Sequence, residues 1–248
     1  MPGTFGEVPG TFFGSSPKDV SSSGVNGKEA TLPTGEDRAV TEDEVKAAFE
    51  KAVPYDGEVK VAVRTSSEKG AATEALTSGL RADAGALARR GGAISWNTIT
   101  AAGATSTLSA SGYDYSVWNM LDWDLRTCWA EGNPNSEGTM EAFAFWMDET
   151  NRIDGFRIYP GYQKSSSVYR NNILPAALQV EVGGYEFWFD LDDCLSDLYN
   201  DGDSYWIDCT FSSPVYDDCI YVMIGAVATY GNDPDYDCCI TEFHPFSY

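Results

Sequence analysis

Histidine and basic residues are scarce in this 248-residue chain: one His, and 16 Lys and Arg against 38 Asp and Glu. A single His excludes most His-based metal clusters and most nucleophile–histidine triads. The formal charge of −22 repels phosphate backbones and anionic lipid heads, so nucleic acid and charged membrane surfaces are poor partners. Long apolar runs are missing as well. The longest, around Tyr221 to Tyr230, reaches about half a membrane span and is broken by Gly225. The opening MPGTFGEVPGTFFGSSP has neither a basic start nor an unbroken apolar stretch, so neither a signal peptide nor a transmembrane segment is expected in this chain. The six cysteines (128, 194, 209, 219, 238, 239) show no CxxC spacing, which argues against zinc and thioredoxin-like redox chemistry. They read as buried or partly paired thiols. Adjacent Cys238 and Cys239 would point to opposite faces of a strand, so at most one is expected against the core.

What is present is distributed unevenly. Residues 1–93 carry 11 basic and 14 acidic side chains, whereas 94–248 carry 5 and 24, with all seven Trp, all six Cys and 28 of the 33 aromatics. A packed, aromatic, acidic domain therefore begins near residue 94. Residues 1–40 are rich in Gly, Pro, Ser and Thr, repeat PGTF, and read as a flexible leader. Residues 41–93 read as a small helix–strand–helix segment or linker. Thr41 and Glu44 form a capping box ahead of Val45, Ala48, Phe49 and Ala52, and Val59, Val61 and Val63 alternate with Lys60, Ala62 and Arg64. The Ala-rich stretch 68–90 permits helix, although Gly70, Gly79 and Gly85 weaken it by about 1 kcal/mol each.

From Ile94 the hydrophobic period becomes two. Segments near 95–100, 139–147, 152–159, 177–189, 204–211, 216–227 and 236–246 read as strands separated by Gly, Asn, Asp and Pro turns. Phe143 and Phe145 share a face, as do Ile153, Phe156 and Ile158 past an irregularity at Gly155, and Val180 and Val182. Such strands without helical crossovers indicate an all-β fold, an antiparallel jelly-roll β-sandwich, behind a small, partly disordered α/β N-terminal region.

Four ordered stretches carry a family resemblance: YSVWNMLDWDLRTCWAEG (115–132), RIDGFRIYPGYQKS (152–165), VYRNNILPAALQVEV (168–182) and DCCITEFHPF (237–246). Together they resemble the NADase-type glycan-binding domain, a discoidin-like, galactose-binding-type module, over about 94–248. The resemblance implies a β-sandwich that binds glycans without cleaving them, extracellular or at a cell surface, attached to a larger parent protein. Two departures stand out. The usual Gly between the two aspartates is Trp123, and the basic pair before the last core strand is replaced by Ile173 and Leu174.

The residues themselves suit that use. A sugar offers C–H faces and hydroxyl fans, so its site needs rings beside convergent donors and acceptors. Trp129 and Glu131, then Tyr159, Tyr162, Gln163 and Lys164, then Tyr169, Arg170 and Asn171 supply them, with Trp129 and Tyr162 as the expected stacking rings. Asp122, Asp124, Thr127 and Glu242 stand where related modules often place a structural Ca²⁺, an ion that takes 6–8 oxygens; the rival reading is Asp turn-capping. The stretch 197–208 places Asp197, Asp201, Gly202 and Asp208 at calcium-loop positions 1, 5, 6 and 12, but Tyr199 stands at position 3, so an acidic hairpin turn is expected. Two other classes share the sequence. One is a calcium-dependent protein- or phospholipid-binding discoidin-like module; the other is a carboxylate-pair glycosidase drawn from Asp124, Glu131 and Glu141.

Overall fold

A computed structural model describes residues 35–65, 94, 98–195, 204–229 and 237–248. All of them lie within one compact unit, Leu32–Tyr248. The Ala-rich stretch 68–90 and all of 1–34 lie outside the described residues.

The described fold is overwhelmingly β. In chain order it runs β1 (Glu36–Asp37), α1 (Glu42–Lys51), β2 (Val53–Pro54), β3 (Val59–Thr65), β4 (Ile99–Ala104), a 3-10 turn (Val117–Leu121) and β5 (Trp129–Ala130). It continues with β6 (Ala142–Pro160), α2 (Ser166–Asn171), β7 (Ile173–Val182), β8 (Tyr185–Asp190), a 3-10 turn (Asp192–Cys194), β9 (Tyr205–Thr229) and β10 (Cys239–Phe246). Thr41 caps α1, its hydroxyl accepting from Glu44 N–H at 3.2 Å, and the acidic first turn Glu42–Glu44 faces the positive end of the helix dipole.

Two long strands make the sandwich. The first part of β6 pairs with β4 and with the second part of β9 (Ala142↔Met223 to Trp146↔Cys219). Its second part pairs with β10 and with the first part of β9 (Phe156↔Cys209 to Ile158↔Ile207). Register breaks between Trp146 and Asn151 and between Ile153 and Gly155 divide the two parts. Gly155 is obligatory at the second break, since a Cβ there would stand 2.1 Å from the Cys209 carbonyl oxygen. Segments read as separate strands, 139–147 with 152–159 and 204–211 with 216–227, are thus each one continuous strand that serves both halves. The halves meet ring against ring: Phe143–Phe243 at 5.1 Å, Phe156–Phe189 at 5.0 Å and Phe187–Phe211 at 4.0 Å. Alternate inward positions explain this. Phe143, Phe145, Ile153, Phe156, Ile158, Val180 and Val182 are all buried, as their periodicity requires.

The antiparallel body carries two parallel additions, β1 on β4 and β2 on β8, so the sheet is mixed. Both are two-residue edge strands contributed by the segment around α1. The same segment supplies β3, which pairs antiparallel with β9 from Val59↔Phe211 to Thr65↔Tyr205. The residues 35–65 therefore extend the sheet built by 98–248. All six cysteines are free thiols. Cys238 enters the main core and Cys239 a satellite cluster with Cys128, Ala130 and Tyr162, so both are buried. Of the pair only Cys238 reaches the main core, as alternation implies, and Cys239 is buried as well because the other face of β10 is covered.

Candidate functional site

The Trp-Ala-Glu turn and the Gly-Tyr-Gln-Lys loop do come together, on either side of the start of β10. Trp129 pairs with Ile240, and Gly161 bridges the same residue while its N–H donates to the Cys239 carbonyl at 3.0 Å. Their rings, however, face inward. Trp129 is 0% exposed, Tyr159 and Tyr169 are 1%, and Tyr162 is 9%. Trp129 donates through Nε1 to the Ser106 carbonyl and packs on Phe143. The Tyr162 hydroxyl donates to the Arg126 carbonyl at 2.6 Å. Tyr159 stacks on Trp206, and the hydroxyls of Tyr169 and Tyr205 hydrogen-bond. Gln163 is an internal clamp: its Nε2 donates to the Tyr205 carbonyl at 2.8 Å, and its Oε1 accepts from Tyr205 N–H. Glu131, also buried, accepts from Asn133 N–H at 2.8 Å, and burial raises its pKa. Stacking of a sugar on Trp129 or Tyr162 is thereby corrected: these rings are core, because β5 and the loop are sandwiched between the main core and the satellite cluster. Lys164, Arg170 and Asn171 remain exposed.

The four calcium candidates assemble only in part. Thr127 Oγ1 donates to Asp122 Oδ2 at 2.9 Å, and burial pushes the Asp122 carboxyl up to about 6. Glu242 is wholly buried, with Oε2 on His244 Nε2 at 2.9 Å; burial, then the neighbouring Asp122, hold its pKa well above the ordinary carboxylate range. Asp124 does not join them. Both its oxygens take Arg126, at 2.6 to 3.1 Å, which lowers its pKa. Asp124 is thus turned toward Arg126 and Glu242 toward His244, while Asp122 and Thr127 bond to each other. No group of three or more His, Cys, Asp and Glu among the described residues is arranged to hold a metal. Of the four calcium-loop positions only Asp208 lies among the described residues, where it takes a bidentate bond from Arg157 at 2.6 and 3.0 Å. Asp197, Tyr199, Asp201 and Gly202 lie outside the described residues.

Trp123 explains one of the departures. Its φ is 60°, in the left-handed region where Gly is free of Cβ strain. The indole lies flat on His244, with centroids 3.6 Å apart and planes 7° apart. That contact offsets the backbone cost of about 1 kcal/mol or more. Ile173 and Leu174, the other departure, are buried at the start of β7.

Open rings and polar groups converge elsewhere, in the loop between β4 and the 3-10 turn. Gly112 turns the chain at φ 83°, and Tyr113 N–H donates to the Ala110 carbonyl, which throws the Tyr113 ring out to 65% exposure. Tyr115 stacks beside it at 6.3 Å, with planes 26° apart, and its other edge packs on the Tyr162 cluster. Asp114 and Asn119 hold the loop in place. Asp114 Oδ1 accepts from Ser116 N–H at 2.9 Å, and Asn119 Nδ2 donates to the Asp114 and Cys128 carbonyls. The cavity so formed, about 510 Å³, is walled by Asp37, Arg38, Thr107, Ser109, Tyr113 and Asp114 among others. A second cavity of the same volume, between α1 and residues 133–141, has a largely apolar wall of Val45, Phe49, Met140 and Met223. Sequence reasoning passed over Tyr113; its signal was the Gly-Tyr-Asp-Tyr run after a Ser-rich stretch, where an aromatic has no strand to hide in.

Solved structures share the fold at low identity. The structure of the CBM32-1 and CBM32-2 domains from Clostridium perfringens ZmpB in complex with GalNAc is 12% identical, with a TM-score of 0.51, over 80% of this chain and 43% of that one. The structure containing the CBM32-1, CBM32-2 and M60 catalytic domains of the same Clostridium perfringens protein is 13% identical, with a TM-score of 0.50, over 76% and 17%. This chain thus spans less than half the length of either. No curated protein matches it. No helix among the described residues is long and apolar enough to cross a membrane. Residues 95–244 match the model of the NAD glycohydrolase translocation F5/8 type C domain, and with that the discoidin-like resemblance becomes an assignment: the chain belongs to this family.

Proposed function

We propose that this protein is a non-catalytic carbohydrate-binding module, extracellular or at a cell surface, and that its sugar sits in the cavity of the 105–116 loop against the face of Tyr113. The observation that carries the reading is the 65% exposed Tyr113 ring at the lip of a polar-walled cavity of about 510 Å³. A pyranose needs that combination: an apolar ring face for its C–H side, and Asp, Ser and Thr oxygens for its hydroxyls. The likeness to a GalNAc-bound module agrees with it.

Binding without turnover is supported by the state of the carboxylates a glycosidase would need. Glu141 is held by Thr105 and Ser106, each at 2.6 Å, and by Asn133 at 2.9 Å. Glu131 is closed in by Asn133, and Asp124 by Arg126. Glu141 borders the cavity next to α1, but its oxygens are taken by Thr105, Ser106 and Asn133. A single open site of this kind gives a Kd of roughly 0.1–1 mM, about −4 to −5.5 kcal/mol, so useful affinity comes from attachment to a parent protein or from several modules together.

The test is substitution of the exposed ring. Tyr113→Ala is expected to weaken glycan binding about tenfold or more in isothermal titration. It should leave the melting temperature within about 2 °C, because an exposed side chain contributes little to folding. Unchanged affinity for every sugar that binds would remove the cavity from the account.

A further inference from the structure

We infer that the cavity beside Tyr113 selects a hexosamine with a free amine over its N-acetylated, neutral and acidic counterparts. This rests on the carbohydrate-binding reading above and adds the class of sugar to it. Three observations on the cavity wall point the same way.

Asp37 and Asp114 both face the cavity, and both are exposed. Each is oriented by a single bond from the protein through Oδ1: Trp118 Nε1 donates to Asp37 at 2.8 Å, and Ser116 N–H donates to Asp114 at 2.9 Å. Their second oxygens have no hydrogen-bond partner among the described residues. The carboxylates are therefore fixed in direction with acceptor capacity to spare, unlike freely rotating surface aspartates.

Arg38 is the single cation on the wall among the described residues, and it is already engaged. Its Nη2 donates to Glu44 Oε1 at 2.7 Å, and its guanidinium lies over the Trp146 ring at 3.9 Å. It therefore does not neutralise Asp37 or Asp114. The Tyr113 face holds the sugar ring, while the two carboxylates leave the cavity with uncompensated negative charge. A C2 ammonium offers three donors and a positive charge to those oxygens. An acetamido group removes the charge, a hydroxyl supplies none, and a uronate or sialate carboxylate is repelled.

Each ammonium–carboxylate attraction in water is weak and salt reduces it, so two carboxylates favour the ammonium by roughly five- to tenfold. The measurement is titration of the full chain with galactosamine and glucosamine, their N-acetyl forms, galactose and glucose, and galacturonate and glucuronate, at low and high salt. Tighter binding of the amines that fades in salt, and a fall of the amine-to-neutral affinity ratio to about one in Asp37→Asn/Asp114→Asn, is the expected result. Asn keeps the Oδ1 acceptor, so the loop and the Trp118 bond survive. Equal binding of amine and neutral sugars, or an amine preference untouched by the double variant, overturns the inference and leaves the carbohydrate reading standing. Binding of no sugar at all overturns both.

Discussion

Trp129→Ala is expected to destabilise the protein by about 3–5 kcal/mol, the cost of emptying a large aromatic site in a packed core. The side chain is 0% exposed, touches Phe143 at 5.4 Å, and anchors β5 to the 105–116 segment through Nε1 to the Ser106 carbonyl at 3.2 Å. That margin is about a third to a half of the total stability of a domain of this size, and the melting temperature should fall by about 10 °C or more. Trp129→Phe keeps most of the volume but leaves the Ser106 carbonyl unpaired, so a milder loss of roughly 1–2 kcal/mol is expected. Thermal and urea unfolding of the three proteins read this directly. A Trp129→Ala protein that melts like the parent and loses only sugar binding would return the ring to the ligand site.

The second large effect is a gain of stability on mild acidification. Glu181 is buried beside Asp217, and burial followed by that like charge pushes its carboxyl up to about 7. Asp122 stands at about 6, and Glu242 is raised well above its ordinary value. A folded-state pKa above the unfolded one means that the folded protein binds the proton more tightly. The contribution is complete below the unfolded values near 4 and is lost as pH rises through 6 to 7 and beyond. His244 works the other way. Burial, then Arg157, depress its pKa, so it favours the unfolded state once pH falls below about 6.5. Each fully engaged carboxyl changes stability by about 1.4 kcal/mol per pH unit. Between pH 8 and 6 the carboxyls dominate, and a gain of roughly 2 kcal/mol, or about 5 °C in melting temperature, is expected before His244 flattens the curve. Glu181→Gln keeps an acceptor for the Gly184 N–H and should raise the melting point at pH 8 while shrinking its slope. A melting temperature that falls steadily from pH 8 to 6 would contradict the assignment.

Most of the fold was legible because its strands obey period two wherever one face meets the core. Phe143/Phe145, Ile153/Phe156/Ile158 and Val180/Val182 are buried as their spacing implies, and the Thr41 capping box starts α1. The continuity of β6 and β9 was not legible, because a polar stretch such as Asp148–Asn151 reads as a turn unless the partner strand is known. The two-residue parallel pairings of β1 and β2 are likewise tertiary in origin. The ring orientation around Trp129 and Tyr162 was the main reversal. At positions 128–130 every residue is buried, since both faces of β5 are covered, and alternation carries no information there. What marks a ring as open is the turn that throws it clear. At Tyr113 that turn is Gly112, in the left-handed conformation with open space around its Cα.

A crystal structure of the full chain soaked with GalNAc and with galactosamine is the most direct test of the account. Sugar density lying flat on the Tyr113 ring, with hydroxyl or ammonium contacts to Asp37 and Asp114, is the outcome the account requires. Sugar bound instead beside Lys164 and Arg170, or in the apolar cavity next to α1, would contradict it, as would a soaked crystal whose Tyr113 face carries only water.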